Sequence, residues 1–201
     1  SADEALKSMG RSIVGSTFVI QGFGNVGSFA ANFIHSEGGK VLAVSDVNGG
    51  IFNPEGLDIP KLIEHQKANG TVVDFPGIDR ISNEELLVLE TDVLIPAALG
   101  HVFTAENADD IRASLIVEGA NGPTMPDGDA IFEKKGVMVV PDILANAGGV
   151  TSSYFEWVQN MQYFRWDLDH SRIELDKKLR AAFKVVHEVA ERKKVSMRTA
   201  A

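Results

Sequence analysis

Gly22-Phe23-Gly24-Asn25-Val26-Gly27 follows the apolar run Phe18-Val19-Ile20 and opens a segment of helical spacing, and few folds accommodate that order. The apolar run reads as a buried parallel strand. Asn25 to Glu37 reads as a helix, with Val26, Phe29, Ala30, Phe33 and Ile34 on one face. Between them, Gly-x-Gly-x-x-Gly makes the tight strand-to-helix turn of a dinucleotide-binding βαβ unit. Gly22 permits the turn, Gly24 lets backbone approach a pyrophosphate, and Gly27 lets the helix pack closely on the strand. The helix then aims unpaired N–H groups and its positive dipole end at the phosphates. Glycine turns are common, so the context on both sides gives the motif its weight. A second strand, Lys40 to Ser45, ends in Asp46. An acidic residue about 20 positions past the glycines is where a ribose hydroxyl is held.

The rest of the chain continues the alternation. Asn48-Gly49-Gly50 reads as a turn, Ile59 to Ala68 as a helix, and Thr71-Val72-Val73 as a short strand, antiparallel at an edge. Ser82-Asn83-Glu84-Glu85 is a capping box for a helix through Leu89. Asp92 to Ile95 is a buried strand broken by Pro96. Thr104 caps a helix to Arg112, Leu115 to Glu118 is a strand, Pro126 opens a helix to Lys135, and Val137 to Val140 is another strand. Beyond Asn146 only helices are expected, Val150 to Asn160 and a long one from Asp169 to Met197, striped by Leu175, Leu179, Ala182, Phe183, Val186 and Ala190. Strands alternating with helices predict an α/β fold, a Rossmann-type doubly wound, mostly parallel sheet. The expected division is residues 1–149 as that domain and 150–201 as a C-terminal helical extension.

Composition removes several function classes. The formal net charge of -9 and the lack of a basic stripe argue against a nucleic-acid partner. With Cys 0, there is no disulfide, thiolate metal site or cysteine nucleophile, which fits a cytoplasmic protein. No apolar run reaches the ~18 residues of a membrane span. The five histidines lack metal-ligand spacing, so no metal site is expected. The chain opens on Ser1 in a helical pattern and closes on Ala201 without a glycine cap or proline stop. The expectation is an excised domain whose catalytic residues lie elsewhere.

Ligands of an open α/β sheet bind outside the carboxyl ends of its strands. Small and amide-bearing residues crowd those loops here: Ala97-Ala98, Ala120-Asn121 and Ala145-Asn146-Ala147-Gly148-Gly149. Small side chains let a flat ring lie over backbone, and asparagines hydrogen-bond a ribose or carboxamide. The helix after Gly149 has an N-terminus suited to an anion such as a carboxylate. On pattern alone, Ser152 and Ser153 are plain caps.

The blocks Pro96-Ala97-Ala98-Leu99, Val117-Glu118-Gly119-Ala120-Asn121-Gly122-Pro123-Thr124 and Pro141-Asp142-Ile143-Leu144-Ala145-Asn146-Ala147-Gly148-Gly149-Val150 carry a resemblance. With Gly22 to Gly27 and Tyr154-Phe155-Glu156-Trp157, they resemble the cofactor-binding domain of the hexameric glutamate dehydrogenases. The resemblance covers essentially the whole chain. It implies reversible NAD(P)-dependent oxidative deamination of L-glutamate to 2-oxoglutarate and ammonia. It also implies a homohexameric parent protein, with the fragment itself monomeric or weakly associated. Gly22, Gly24, Asn25, Val26 and Gly27 would hold the pyrophosphate and Asp46 the adenine ribose. Ala97, Ala98 and Asn121 would line the nicotinamide-side ribose, and Asn146 would sit beside the nicotinamide. Val150 and Ser153 would form part of the glutamate pocket, Ser153 bonding the distal carboxylate. The family's catalytic lysine and aspartate lie in a domain without a counterpart here, so the fragment is expected to be inactive alone.

Relatives acting on leucine, phenylalanine or valine are the nearest alternative, and the Gly-Ala-Asn-Gly-Pro-Thr and Ser-Tyr-Phe-Glu patterns favour glutamate. A non-catalytic dinucleotide-binding module is the other alternative; it would not need Val150 and Ser153. Asp46 repels a 2′-phosphate, and Val47 and Asn48 offer no cation, so NAD is favoured with NADP possible. Trp157, Tyr163, Phe164 and Trp166 are expected to pack the last helices onto a neighbouring domain or another copy.

Overall fold

A computed structural model describes residues 1–201. Its strands are β1 (Thr17–Gln21), β2 (Lys40–Asp46), β3 (Gly49–Phe52), β4 (Asp79–Ile81), β5 (Val93–Pro96), β6 (Leu115–Val117) and β7 (Met138–Val140). The first helices are α1 (Ala2–Ser8), α2 (Asn25–Ser36), α3 (Ile59–Asn69) and α4 (Asn83–Leu87). They are followed by α5 (Pro126–Lys135), α6 (Asp142–Ala145), α7 (Gly148–Gln162), α8 (Leu168–Lys193) and α9 (Met197–Ala200).

All strands join one sheet in the order β4-β3-β2-β1-β5-β6-β7. β2, β1, β5, β6 and β7 run parallel; β3 and β4 add an antiparallel edge beside β2. The chain winds outward from β1 to β2, then returns past β1 to β5. The strand order therefore reverses between β1 and β5, the place where open α/β sheets bind ligands. Helices cover both faces. Ala31 and Ile34 of α2, Ile59 and Leu62 of α3 and Phe183 of α8 join one core layer; Leu86 of α4 and Phe132 of α5 join the other. This is the doubly wound α/β class expected from the strand–helix alternation.

Local chemistry sets most boundaries. Ser82 and Glu85 form the reciprocal capping box at the head of α4. Asp58 caps α3, whose far end is Gly70 in the left-handed region at φ 74°. The buried run Val41 to Val44 makes β2 an interior strand.

Four expectations are corrected. Of the expected face of α2 only Ile34 is buried; Gly27 and Ala31 turn inward with it, while Phe29 and Phe33 are 64% and 57% exposed. Close contact between Gly27 and the glycine turn fixes that rotation, and the aromatics go outward. Thr71 to Val73 forms no strand, because the Thr71 hydroxyl and Val72 N–H donate to Asp46 instead. The antiparallel edge is built by β3 and β4. After Thr104 only a 3-10 turn, Ala108–Asp110, forms. Asn107 accepts from Thr104 N–H and donates to the Val102 carbonyl, local bonds that compete with a helix. Ser152 and Ser153 lie inside α7 and do not cap it; its N-cap is Ala147.

Candidate functional site: the crevice at the strand ends

Gly22 sits at φ 93°, a left-handed conformation that side chains rarely adopt. A Cβ there would stand 2.8 Å from the Ala98 Cβ and 2.9 Å from the Ala97 carbonyl oxygen. The turn after β1 and the loop after β5 thus touch at the point of reversal. Gly119, after β6, joins them: a Cβ on it would lie 3.3 Å from Val26 Cγ1 and 3.4 Å from Ala97 Cβ. Three loops from separate strands converge there, Gly22 against Ala97 and Ala98, and Gly119 against Val26 and Ala97.

Gly24 is the exception in this packing, for a Cβ on it would meet nothing within 4 Å. It caps α2 with extended backbone, and no side chain satisfies the first turn of the helix. The leading N–H groups of α2 consequently have no intrahelical acceptor. Open space above Gly24 and unpaired donors at Asn25, Val26 and Gly27 fit a pyrophosphate.

Toward the outer end, Asp46 closes β2. Its Oδ2 accepts from Thr71 Oγ1 and Val72 N–H, each at 2.7 Å, and its Oδ1 accepts from Asn48 N–H at 2.7 Å. One acceptor position on Oδ1 remains for a ribose hydroxyl. Asp46, Asn48, Arg80 and Glu85 line an open cavity of about 490 Å³. Arg80 donates to the Asn48 carbonyl at 3.2 Å. A cation therefore does stand beside this subsite, against the expectation drawn from Val47 and Asn48 alone. It arrives through strand pairing, Ile51 opposite Arg80, and no local spacing signals it.

Toward the inner end, Asn146 Nδ2 donates to Asn121 Oδ1 at 2.7 Å. Asn146 follows α6 and Asn121 follows β6, so both come after the carboxyl ends of strands parallel to β1, as the glycine turn does. Val150 and Ser153 stand three residues apart on the first turns of α7, both exposed, Val150 by 71%. The leading N–H groups of α7 also lack a side-chain cap.

Ser45 was not singled out by the motif. It is 1% exposed, accepts from Gly22 N–H at 3.2 Å and donates to Asn83 Oδ1 at 3.2 Å. A serine inside an apolar strand must find partners when buried, and that requirement was the available signal. Of the late aromatics, Trp166 packs within the chain, against Phe155 and His170 at 5.2 and 4.7 Å between ring centres. Trp157, Tyr163 and Phe164 remain exposed. No helix is long and apolar enough to cross a membrane.

Residues 1–201 match the family model for Glutamate/Leucine/Phenylalanine/Valine dehydrogenase. A glutamate dehydrogenase of Thermotoga maritima is 58% identical over 186 residues, 92% of this chain and 45% of that protein. The hetero-hexameric glutamate dehydrogenase of Thermus thermophilus, in its Leu-bound form, superposes with a TM-score of 0.92 at 31% identity, over 99% of this chain and 47% of that one. Glutamate dehydrogenase of Peptoniphilus asaccharolyticus gives a TM-score of 0.84 at 35% identity, over 99% of this chain and 46% of that one. The chain thus spans about half the length of the relatives it matches.

Proposed function

This chain belongs to the Glutamate/Leucine/Phenylalanine/Valine dehydrogenase family, and from that premise we propose that it is the nicotinamide-dinucleotide-binding part of a glutamate dehydrogenase. Residues 1–149 hold the cofactor; of residues 150–201, α7 leads back toward the other half of the protein, while Phe183 of α8 and Met197 of α9 pack into the same core as the sheet. The observation that carries this reading is the contrast at the glycine turn. Gly22 and Gly27 are packed too tightly for any side chain, while Gly24 opens onto free space in front of unpaired N–H groups.

In this reading the donors of Gly24 to Gly27 hold the pyrophosphate. Asp46 offers its free lone pair to the adenine ribose. Ala97 and Ala98, with Asn121, line the inner ribose, and Asn146 holds the nicotinamide edge. Val150 and Ser153 form one wall for L-glutamate, with Ser153 donating to its distal carboxylate. A nicotinamide dinucleotide held by these residues would supply the hydride acceptor for oxidising L-glutamate at its amino-bearing carbon, with water as the oxygen source for 2-oxoglutarate and ammonia as the other product. This chain's contribution is orientation, because small side chains at three loops leave room for a flat ring and fix its height.

None of the strand-end loops carries a lysine. The proton-handling groups belong to the part of the relatives that this chain does not span. NAD is the favoured cofactor, with Asp46 repelling a 2′-phosphate and Arg80 allowing NADP at lower affinity. In this reading the whole protein is a cytoplasmic homohexamer, and the exposed face of α7 with Tyr154 and Trp157 meets its remaining half; alone, the chain is monomeric or weakly associated. An assay with L-glutamate and NAD tests the division of labour. Cofactor binding without turnover is expected, and measurable glutamate oxidation by these residues alone would contradict it.

A further inference from the structure

Bonded to the loop that carries Asn121 is an ion cluster around the fully buried Glu118, which cofactor contact does not require. Glu118, immediately after β6, is 0% exposed. A carboxylate at such a place persists only when both oxygens are paired. Oε1 accepts from Arg198 Nη2 at 2.6 Å and from the Thr124 hydroxyl. Oε2 accepts from Arg198 Nη1 at 3.1 Å and from the Asp142 backbone N–H at 2.9 Å. The fork of Arg198 thus grips Glu118 with two bonds, and its Nε reaches Asp129 Oδ2 at 3.1 Å. Burial opposes the guanidinium charge, but the Glu118 and Asp129 carboxylates outweigh it and hold Arg198 above its usual range.

The bonds continue into the site. Asp142 opens α6, and its Oδ2 accepts from Gly122 N–H at 2.8 Å, directly after Asn121. The single turn of α6 then delivers Asn146, which closes back on Asn121. Glu118, Asp142, the Asn121–Gly122 loop and Asn146 form a closed circuit, and α9 anchors it through Arg198. None of these bonds involves β2 or the glycine turn.

We propose that Arg198 is a positioning residue for the nicotinamide half of the bound dinucleotide. Acting through Glu118 and Asp142, it sets the spacing of Asn121 and Asn146. The proposal rests on the dinucleotide reading above. It assigns α9 control over one end of the ligand only. The adenosine end is held by Asp46 and the glycine turn, outside the circuit. A purely structural role for the ion pair would instead weaken both ends together, in proportion to the loss of folded protein.

The test uses Arg198→Lys and the double variant Glu118→Gln/Arg198→Met. The double variant removes both charges of the Glu118–Arg198 pair, so the fully buried carboxylate is not left unpaired, and Asp129, which loses its Arg198 partner, is partly exposed. Each is titrated calorimetrically with NADH and with ADP, which lacks both the nicotinamide and the inner ribose that Asn121 lines, and amide hydrogen exchange is followed at Gly122. The expected result is a loss of about tenfold in NADH affinity, with ADP affinity unchanged and Gly122 exchange accelerated. Equal losses for both ligands, or no loss for NADH, would overturn the proposal. If the unsubstituted chain binds neither ligand, the dinucleotide reading fails, and the Gly122 exchange rate decides alone: an unchanged rate in Arg198→Lys would overturn the coupling.

Discussion

A Cβ placed on Gly27 would stand 1.8 Å from the carbonyl oxygen of Gly22. No side-chain rotation relieves that overlap, since the obstacle is backbone and belongs to the turn itself. The contact sets how closely α2 meets β1, and hence where the leading N–H groups of the helix point.

Gly27→Ala should therefore damage both stability and binding. Forcing one methyl into a packed interior costs ~1–3 kcal/mol, and a backbone obstacle places this case at the upper end. Urea unfolding of the variant beside the parent chain measures it; an unchanged midpoint would contradict the packing described here.

Gly24→Ala should separate the two effects. Its backbone is extended, at φ -77° and ψ -156°, and the added methyl meets open space. Stability should stay within ~0.5 kcal/mol, while NADH affinity falls about tenfold or more because the methyl occupies the place of the pyrophosphate. Calorimetric titration beside thermal unfolding checks both halves.

How much of this was legible in the sequence depended on whether the cause was local. The turn from Gly22 to Gly27 and the start of α2 were readable because their constraints lie within a few residues. The buried face of α2 was not: Phe29 and Phe33 look like core, yet the Gly27–Gly22 approach decides the rotation and leaves them outside. β4 was missed because Asp79-Arg80-Ile81 has no apolar alternation and becomes a strand only by pairing with β3. The same pairing carries Arg80 to Asn48, which no spacing could reveal. Thr71 to Val73 misled in the opposite sense: Val72 and Val73 suit a strand, but Asp46 captures the donors that a ladder needs.

Asp46 is accordingly a structural residue as well as a candidate ribose ligand. Asp46→Ala leaves the N–H of the fully buried Val72 without its acceptor. The expected loss is ~1–3 kcal/mol of stability, seen in denaturant titration without any nucleotide present.

Arg80→Ala should shift cofactor choice. Removing the guanidinium beside Asn48 takes away a cation within reach of a 2′-phosphate, so NADPH affinity should drop by more than NADH affinity. Titrating both cofactors against the variant gives the ratio directly, and equal changes would remove Arg80 from that role.

Acidification should loosen the clasp between α1 and α8. Asp3 accepts from Lys7 at 2.7 Å and from Arg180 at 2.6 Å. Partial burial alone would raise the Asp3 carboxyl, yet Lys7 and Arg180 together hold it below its ordinary 3.8. Its folded value is thus lower than its unfolded one, and its contribution is fully present above about 4 and fades as pH falls through the depressed value. Asp3→Asn should flatten that part of the acid limb in a melting-temperature profile; an unchanged profile would show that the clasp adds nothing.

The central claim, that these residues form a nicotinamide-dinucleotide site at the carboxyl ends of the strands, is tested most directly by parallel titration with NADH and NADPH, followed by nucleotide fluorescence at low salt. Saturable binding of both is predicted, tighter for NADH and weakened by Gly24→Ala. A folded sample that binds neither cofactor, or binds them with no effect of Gly24→Ala, would contradict it.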